Sequence, residues 1–304
     1  MTIRDVMFGF GAHTGIEGGP ELLRVVAAAD RAGLDLFSVS DHPYLGDQLD
    51  AYALLGFVLG RTEQIAGLVN VTNLPTRPAP MLARTATSLS ALSGGRVVLG
   101  MGAGGRWDRI ADLGVAPLSP GAAVEAFEEA IVLVRKLSGG GDAISHAGRH
   151  YRVERIEPAP VAAPPVWTGS VGSKSLAATG RVADGWIPGH AADWRSEVYR
   201  SGRRIIEDAA ASVGREPSAI RTVFNTPGVI TDRPKDAPRE RDGRWLGGSV
   251  RQWIDELTEA VVEHGASGFT LFSPEGGMAD EITLGRWAEE IAPAVRTAIT
   301  QVKV

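Results

Sequence analysis

The sequence predicts an α/β fold, a closed (β/α)8 TIM barrel with insertion loops at the C-terminal face of its strands. Three observations carry this. Short apolar runs alternate with helix-periodic stretches almost from end to end. Eight such runs can be counted, and crossovers of helical length between them imply parallel neighbours. No Pro/Gly/Ser-rich linker divides the 304 residues, so a single domain over 1–304 is expected.

"VMFGF" (6–10) is the first strand, and "GPELLRVVAAADRAG" follows as a helix that stops at Gly33. "LDLFSVS" (34–40) and "AGLVNVT" (66–72) are the second and third strands. The helix "RPAPMLARTATSLSALSGG" ends in a Gly-Gly stop. "RVVLGMGAGG" (96–105) is a fourth strand running into glycine. "PVWTG" (165–169), "DGWIPG" (184–189), "IRTVFNTPGVI" (220–230) and "SGFTLFS" (267–273) complete the set. Two stretches interrupt this rhythm. Residues 138–164 read as an excursion holding a small hairpin, and 231–249, charged and Pro/Gly-rich, read as a mobile loop and a candidate lid.

Composition narrows the function. Apolar residues make up 44% and charged residues 22%, which suits a soluble globular chain with a sizeable core. A net charge of -5 argues against nucleic acid as a partner. No run reaches the length of a membrane span, and the N-terminus lacks a long apolar leader, so a cytoplasmic protein is expected. The absence of cysteine excludes disulfides, thiolate metal sites and cysteine nucleophiles.

Functional residues of such a barrel come from the C-terminal ends of its strands. In "SVSDHP" (38–43), strand alternation puts Asp41 and His42 on opposite sides if the strand persists, so that only one of them faces the mouth. A histidine there is suited to proton transfer near neutral pH, although a loop-capping role fits as well. "LVNVTNLPTRP" (68–78) places Asn70, Val71, Thr72 and Asn73 where the third strand ends. Asn70 in an apolar strand needs a partner, either a ligand or neighbouring backbone. "GMGAGG" (100–105) lacks dinucleotide-motif spacing, so Ala103, Gly104 and Gly105 read instead as close backbone approach to a flat ligand. "GSVGSKS" (169–175) is not a P-loop. A strand, a small-residue turn and a helix start still favour an anion on the N–H groups of Gly169, Ser170, Val171, Gly172 and Ser173. The competing reading is an ordinary turn with a serine N-cap. For metal, only His13 and His42 combine with Asp41, and no metal site is expected.

Three stretches together resemble the bacterial luciferase-like monooxygenase superfamily: "FSVSDH", "VNVTNLPTRPAPMLARTATSLSALSGGRVVLGMGAGG" and "PPVWTGSVGSKSLAATGRVADGWIPG". The likeness spans nearly the whole chain. It implies a barrel binding coenzyme F420 or FMN at the strand C-termini, with His42 beside the ring as acid or base. It also implies a non-proline cis peptide at Asn70–Val71 under the ring, and the cofactor phosphate on the turn from Gly169 to Ser173. The sugar-phosphate dehydrogenases of the F420 branch carry a glutamate directly after the fourth-strand glycines. Here Arg106 stands there, which argues against that substrate. The Asp-His pair and the Ala-, Gly- and Arg-rich composition favour F420 over FMN. The expectation is therefore hydride transfer between F420 and a small organic substrate by a homodimer. The alternatives are an FMN monooxygenase served by a flavin reductase, a flavin-binding protein without catalysis, and a metal-dependent hydrolase barrel.

Overall fold

The computed structural model describes residues 6–12, 14–189 and 193–302. The chain opens with β1 (Met7–Gly11), α1 (Gly19–Arg31), β2 (Leu36–Val39), α2 (Ala51–Leu59) and β3 (Ala66–Val69). It continues through β4 (Thr72–Asn73), α3 (Ala79–Ser93), β5 (Val97–Gly102), α4 (Trp107–Ala111) and α5 (Pro120–Lys136). The hairpin β6 (Ile144–Ala147) and β7 (Arg152–Ile156) precedes β8 (Val166–Thr168), α6 (Ser173–Val182), β9 (Gly185–Trp186) and α7 (Glu197–Ser212). Then come β10 (Arg221–Pro227), β11 (Val229–Thr231), β12 (Gly247–Ser249), α8 (Val250–Val262), β13 (Gly268–Phe272), α9 (Glu281–Arg286) and α10 (Ala292–Val302).

Eight parallel strands close the barrel in the order β1, β2, β3, β5, β8, β9, β10, β13, with β13 returning to β1. All eight expected strands are present. The third is split: Asn70 and Val71 separate β3 from β4, joined by the cis peptide that the resemblance implied.

Strand alternation makes two cores. Met7, Leu36, Ala66, Leu68, Val98, Trp167, Ile187 and Val223 fill the barrel interior. Their neighbours Phe8, Phe10, Phe37, Val39, Val97 and Phe224 point outward and pack under the helices. Trp287, after α9, fixes the last helical segment by donating from its indole to the Gly9 carbonyl (3.0 Å) and meeting Phe8 edge to face. The closed interior leaves the C-terminal mouth as the place where strand ends converge.

The two interruptions are built differently. The 138–164 excursion holds the expected hairpin, docked on α5 by Glu129. That carboxylate accepts from the amides of Arg149 (3.1 Å), His150 (3.0 Å) and Tyr151 (2.9 Å) and pairs with the His146 ring (3.0 Å). Burial pushes the Glu129 carboxyl up, but the amides and His146 outweigh it and hold it below its ordinary 4.5. The 231–249 loop is anchored. Arg239 pairs with Asp193 and Glu256, and the buried Trp245 donates its amide to Asp193 (3.1 Å) while packing on Trp253. None of its residues lines the cavity described next.

Candidate active site

The strand C-termini surround an open cavity of about 700 Å³. Val71 forms its floor. A Cβ added at Gly102 would come within 2.8 Å of Val71, and one at Gly169 within 3.2 Å. Glycine at both positions lets the neighbouring strands close on Val71 without side chains rising into the space above it. The result is a flat platform, a shape that accepts a planar ring. To one side the Asn70 amide donates to the Asn225 side chain (2.9 Å), so Asn70's partner is a side chain of β10 rather than the adjacent backbone.

The wall formed by β4 is held by a buried charge cluster. The Asp41 carboxylate, 1% exposed, receives Arg77 through two bonds of 2.7 Å and the Asn73 amide at 2.9 Å. Arg77 also reaches Asp50 (2.6 Å), and its guanidinium lies 4.7 Å from the centre of the Tyr52 ring. The Tyr52 hydroxyl is 2.6 Å from that of Thr72. Asp50 in turn starts α2 by accepting from the amides of Tyr52 and Ala53. Burial pulls the Arg77 guanidinium down, but the hydrogen bonds and charges of Asp41 and Asp50 more than reverse this, so it stays protonated. Burial keeps the Tyr52 phenol un-ionised. Asp41 therefore acts inside the protein: its two oxygens accept from Arg77 and Asn73, and it ties the loop carrying His42 to the wall carrying Thr72 and Asn73.

β2 ends at Val39, so Asp41 and His42 both sit in the loop beyond it; Asp41 is buried and His42 is exposed at the mouth. Its Nδ1 lies 2.9 Å from the Tyr44 hydroxyl. Leu45 and Gln48 extend this wall. Across from it, Ala103, Gly104 and Gly105 form a shoulder ending in Arg106, which adopts a left-handed backbone (φ 50°), unusual for a residue with a side chain.

The turn after β8 contributes Gly169 and Val171 to the lining, but the Gly169 N–H, expected to serve an anion, instead donates to the Met101 carbonyl of β5 (3.1 Å). Gly172 is the N-cap of α6 and makes no side-chain cap bond, so the serine-capped turn is not what forms. Val171, Gly172 and Ser173 are exposed at the helix start. Ser170 turns inward instead: its hydroxyl accepts from Thr179 (2.9 Å) and its carbonyl from the Trp186 indole (2.8 Å).

Of the residues expected at the site, Asp41, His42, Asn70, Val71, Thr72, Asn73, Ala103, Gly104, Gly105, Gly169 and Val171 meet around one cavity, while Ser170, Gly172 and Ser173 lie just outside its lining. His13 falls outside the described residues. The one grouping considered for a metal, Asp41 with His42, has its carboxylate committed to Arg77. Among the described residues, histidine and carboxylates with metal-ligand spacing meet at Glu259, Glu263 and His264, where Glu259 already pairs with Arg195. Sequence reasoning missed Thr14, Gln48 and Phe272 of the lining. Parity along β13 marks Phe272 as inward-facing; nothing in the sequence marks Gln48, which reaches the cavity from an irregular loop.

Residues 6–297 match the family described as luciferase-like monooxygenase. This chain belongs to that family. A phthiodiolone/phenolphthiodiolone dimycocerosates ketoreductase of Mycobacterium tuberculosis is 30% identical over 243 residues, covering 71% of this chain and 62% of the relative. The chain thus spans less than two thirds of that ketoreductase. An F420-dependent glucose-6-phosphate dehydrogenase of Nakamurella multipartita is 29% identical, covering 99% of this chain and 100% of the relative. Among solved structures, an F420-dependent secondary alcohol dehydrogenase in complex with an F420-acetone adduct superposes with a TM-score of 0.79. It is 18% identical and covers 96% of this chain and 100% of that one. This last likeness bears on the fold.

Proposed function

We propose that the protein is an F420-dependent oxidoreductase that interconverts a small alcohol and its carbonyl compound. The observation that carries this is one cavity that joins a glycine-flanked platform at Val71 to an exposed imidazole at His42, with the uncapped start of α6 at Gly172 just outside its lining. Relatives named as F420-dependent and as a ketoreductase support it. The residues fit the cofactor. Val71 offers a face for a planar ring, the Ala103–Gly105 shoulder lets the ring come close to backbone, and the α6 start suits a phosphate.

Bound F420 supplies a ring carbon that takes or gives a hydride. This chain's residues do the rest. His42 accepts the substrate's hydroxyl proton in oxidation and returns one in reduction. Asn70 and Asn225 brace the platform. The exposed start of α6, through the N–H groups of Val171, Gly172 and Ser173, would hold the phosphate. Arg106, where the sugar-phosphate enzymes carry glutamate, removes an acid from the mouth and puts a cation there.

Anaerobic mixing with F420 and secondary alcohols, or with reduced F420 and ketones, tests the reading through the deazaflavin absorbance. Absorbance change with such pairs is expected; inertness toward every pair, with F420 bound, would leave a binding protein without catalysis. FMN with a partner flavin reductase is the alternative, favoured by the monooxygenases that give the family its name. The reading extends to a cytoplasmic homodimer. Among the described residues no helix is long and apolar enough to cross a membrane, and an apolar groove between α1 and α2, edged by Ile16, Leu23, Leu49 and Phe57, is available for association. Sedimentation at two concentrations tests the dimer.

A further inference from the structure

We infer that Tyr44 is a positioning residue that holds His42 in the tautomer needed for proton transfer, an inference that rests on His42 being the acid/base of the proposed reaction. The geometry is a hydroxyl 2.9 Å from His42 Nδ1, with the two rings 5.6 Å apart and tilted by 45°. Both residues line the cavity. Among the described residues, no hydrogen bond reaches Nε2 of His42.

The intervening chain fixes this pairing. Pro43 restricts its own backbone and that of His42. The Leu45 amide closes a turn onto the His42 carbonyl (2.9 Å), and Arg109 of α4 reaches the Tyr44 carbonyl (3.4 Å). The phenol is thus presented to Nδ1 by backbone held at both ends.

A neutral imidazole carries one proton on either nitrogen, and the partner of one nitrogen decides the role of the other. The Tyr44 oxygen accepts from Nδ1–H, which leaves the Nε2 lone pair open toward the cavity. In alcohol oxidation the substrate O–H bond breaks and its proton goes to Nε2. The hydride leaves the carbinol carbon for the bound deazaflavin as the C=O bond forms. The resulting imidazolium keeps Nδ1–H on the tyrosine oxygen, so the same contact serves both protonation states and the reverse reaction. If the tyrosine instead donated to Nδ1, the neutral ring would carry its proton on Nε2 and could not act as base without first losing it.

The test is nitrogen NMR of the 15N-histidine-labelled protein, wild type and Tyr44→Phe, together with F420 titration and single-turnover hydride transfer. The phenylalanine keeps the ring packing and removes only the hydroxyl. In the wild type the neutral His42 signal is expected to be that of the Nδ1–H form. In Tyr44→Phe the population moves toward Nε2–H, hydride transfer slows about tenfold, less than the roughly 10²–10⁴ that loss of a whole general base costs, and F420 affinity is unchanged. A wild-type signal of the Nε2–H form overturns the inference even if the variant fails to fold, and so does a variant with unaltered tautomer and rate. A tautomer shift in a protein that transfers no hydride to any substrate supports the pairing while sinking the proposed activity.

Discussion

The two sides of the cavity are held in opposite ways. On the β4 side, side chains do the holding: Asp41, Arg77, Asp50 and Tyr52 form a charged and aromatic cluster in which Asp41 is almost wholly buried and every oxygen of its carboxylate is used. On the α6 side, backbone is on offer: the N-cap is Gly172, which has no side chain to cap the helix, Val171 is 74% exposed, and Ser173 opens the helix toward solvent. The difference follows from the task at each side. A proton-transfer group must stay in register with a reacting atom to a fraction of an ångström, which needs a rigid support. An anion is served by several N–H groups at once and needs the space in front of them left open.

If this contrast is right, damage on the two sides should read out differently. The largest effect is expected from Arg77→Met, which leaves the Asp41 carboxylate buried without its partner. Breaking such a pair costs about 3–5 kcal/mol, so a drop of that size in urea denaturation is expected, with Arg77→Lys intermediate because lysine cannot make the two-pronged contact. A stability loss below about 1 kcal/mol, the value of a surface pair, would show that the cluster is not a support.

Next comes His42→Ala. The exposed imidazole carries little of the fold, so stability should hold while turnover falls by roughly 10²–10⁴-fold at unchanged F420 affinity. Normal turnover would remove the acid/base role. On the other side, Ser173→Asp sharpens the contrast by sign. An acidic residue in the first turn of α6 should stabilise the free protein by about 0.3–1 kcal/mol, yet weaken F420 binding by repelling its phosphate, most at low salt. Tighter or unaltered binding would separate the phosphate from this turn.

The smallest effect concerns Glu129, remote from both sides. Its carboxyl is held below 4.5 in the folded protein, so its stabilisation of the hairpin is complete above that pH and is lost as pH falls through the lower folded value. Glu129→Gln should therefore flatten the acid limb of the stability curve; hydrogen exchange at the Arg149, His150 and Tyr151 amides is the measure.

Much of this was legible in the sequence because the fold repeats one unit. Eight apolar runs with helical spacers mark the barrel; parity would have separated Asp41 from His42 only had β2 run that far, and it ends at Val39. The function of Asp41 was not legible. Its partner Arg77 lies 36 positions on, and only tertiary structure turns an aspartate at a strand end into a clamp rather than a ligand. The anchoring of the 231–249 loop was illegible for a related reason: its charges read alike in sequence, but Arg239 finds Asp193 and Glu256 and pins it. Ser170 and Ser173 read alike in a small-residue run. Folding sends one toward Thr179 and leaves the other at the helix start.

The most direct test of the central claim is a fluorescence titration of the purified protein with F420, with the same deazaflavin lacking its phosphate-bearing tail, and with FMN. The account predicts tight binding of F420, clearly weaker binding of the phosphate-free deazaflavin, and weak binding of FMN. Equal affinity for the two deazaflavins, or a preference for FMN, would contradict it.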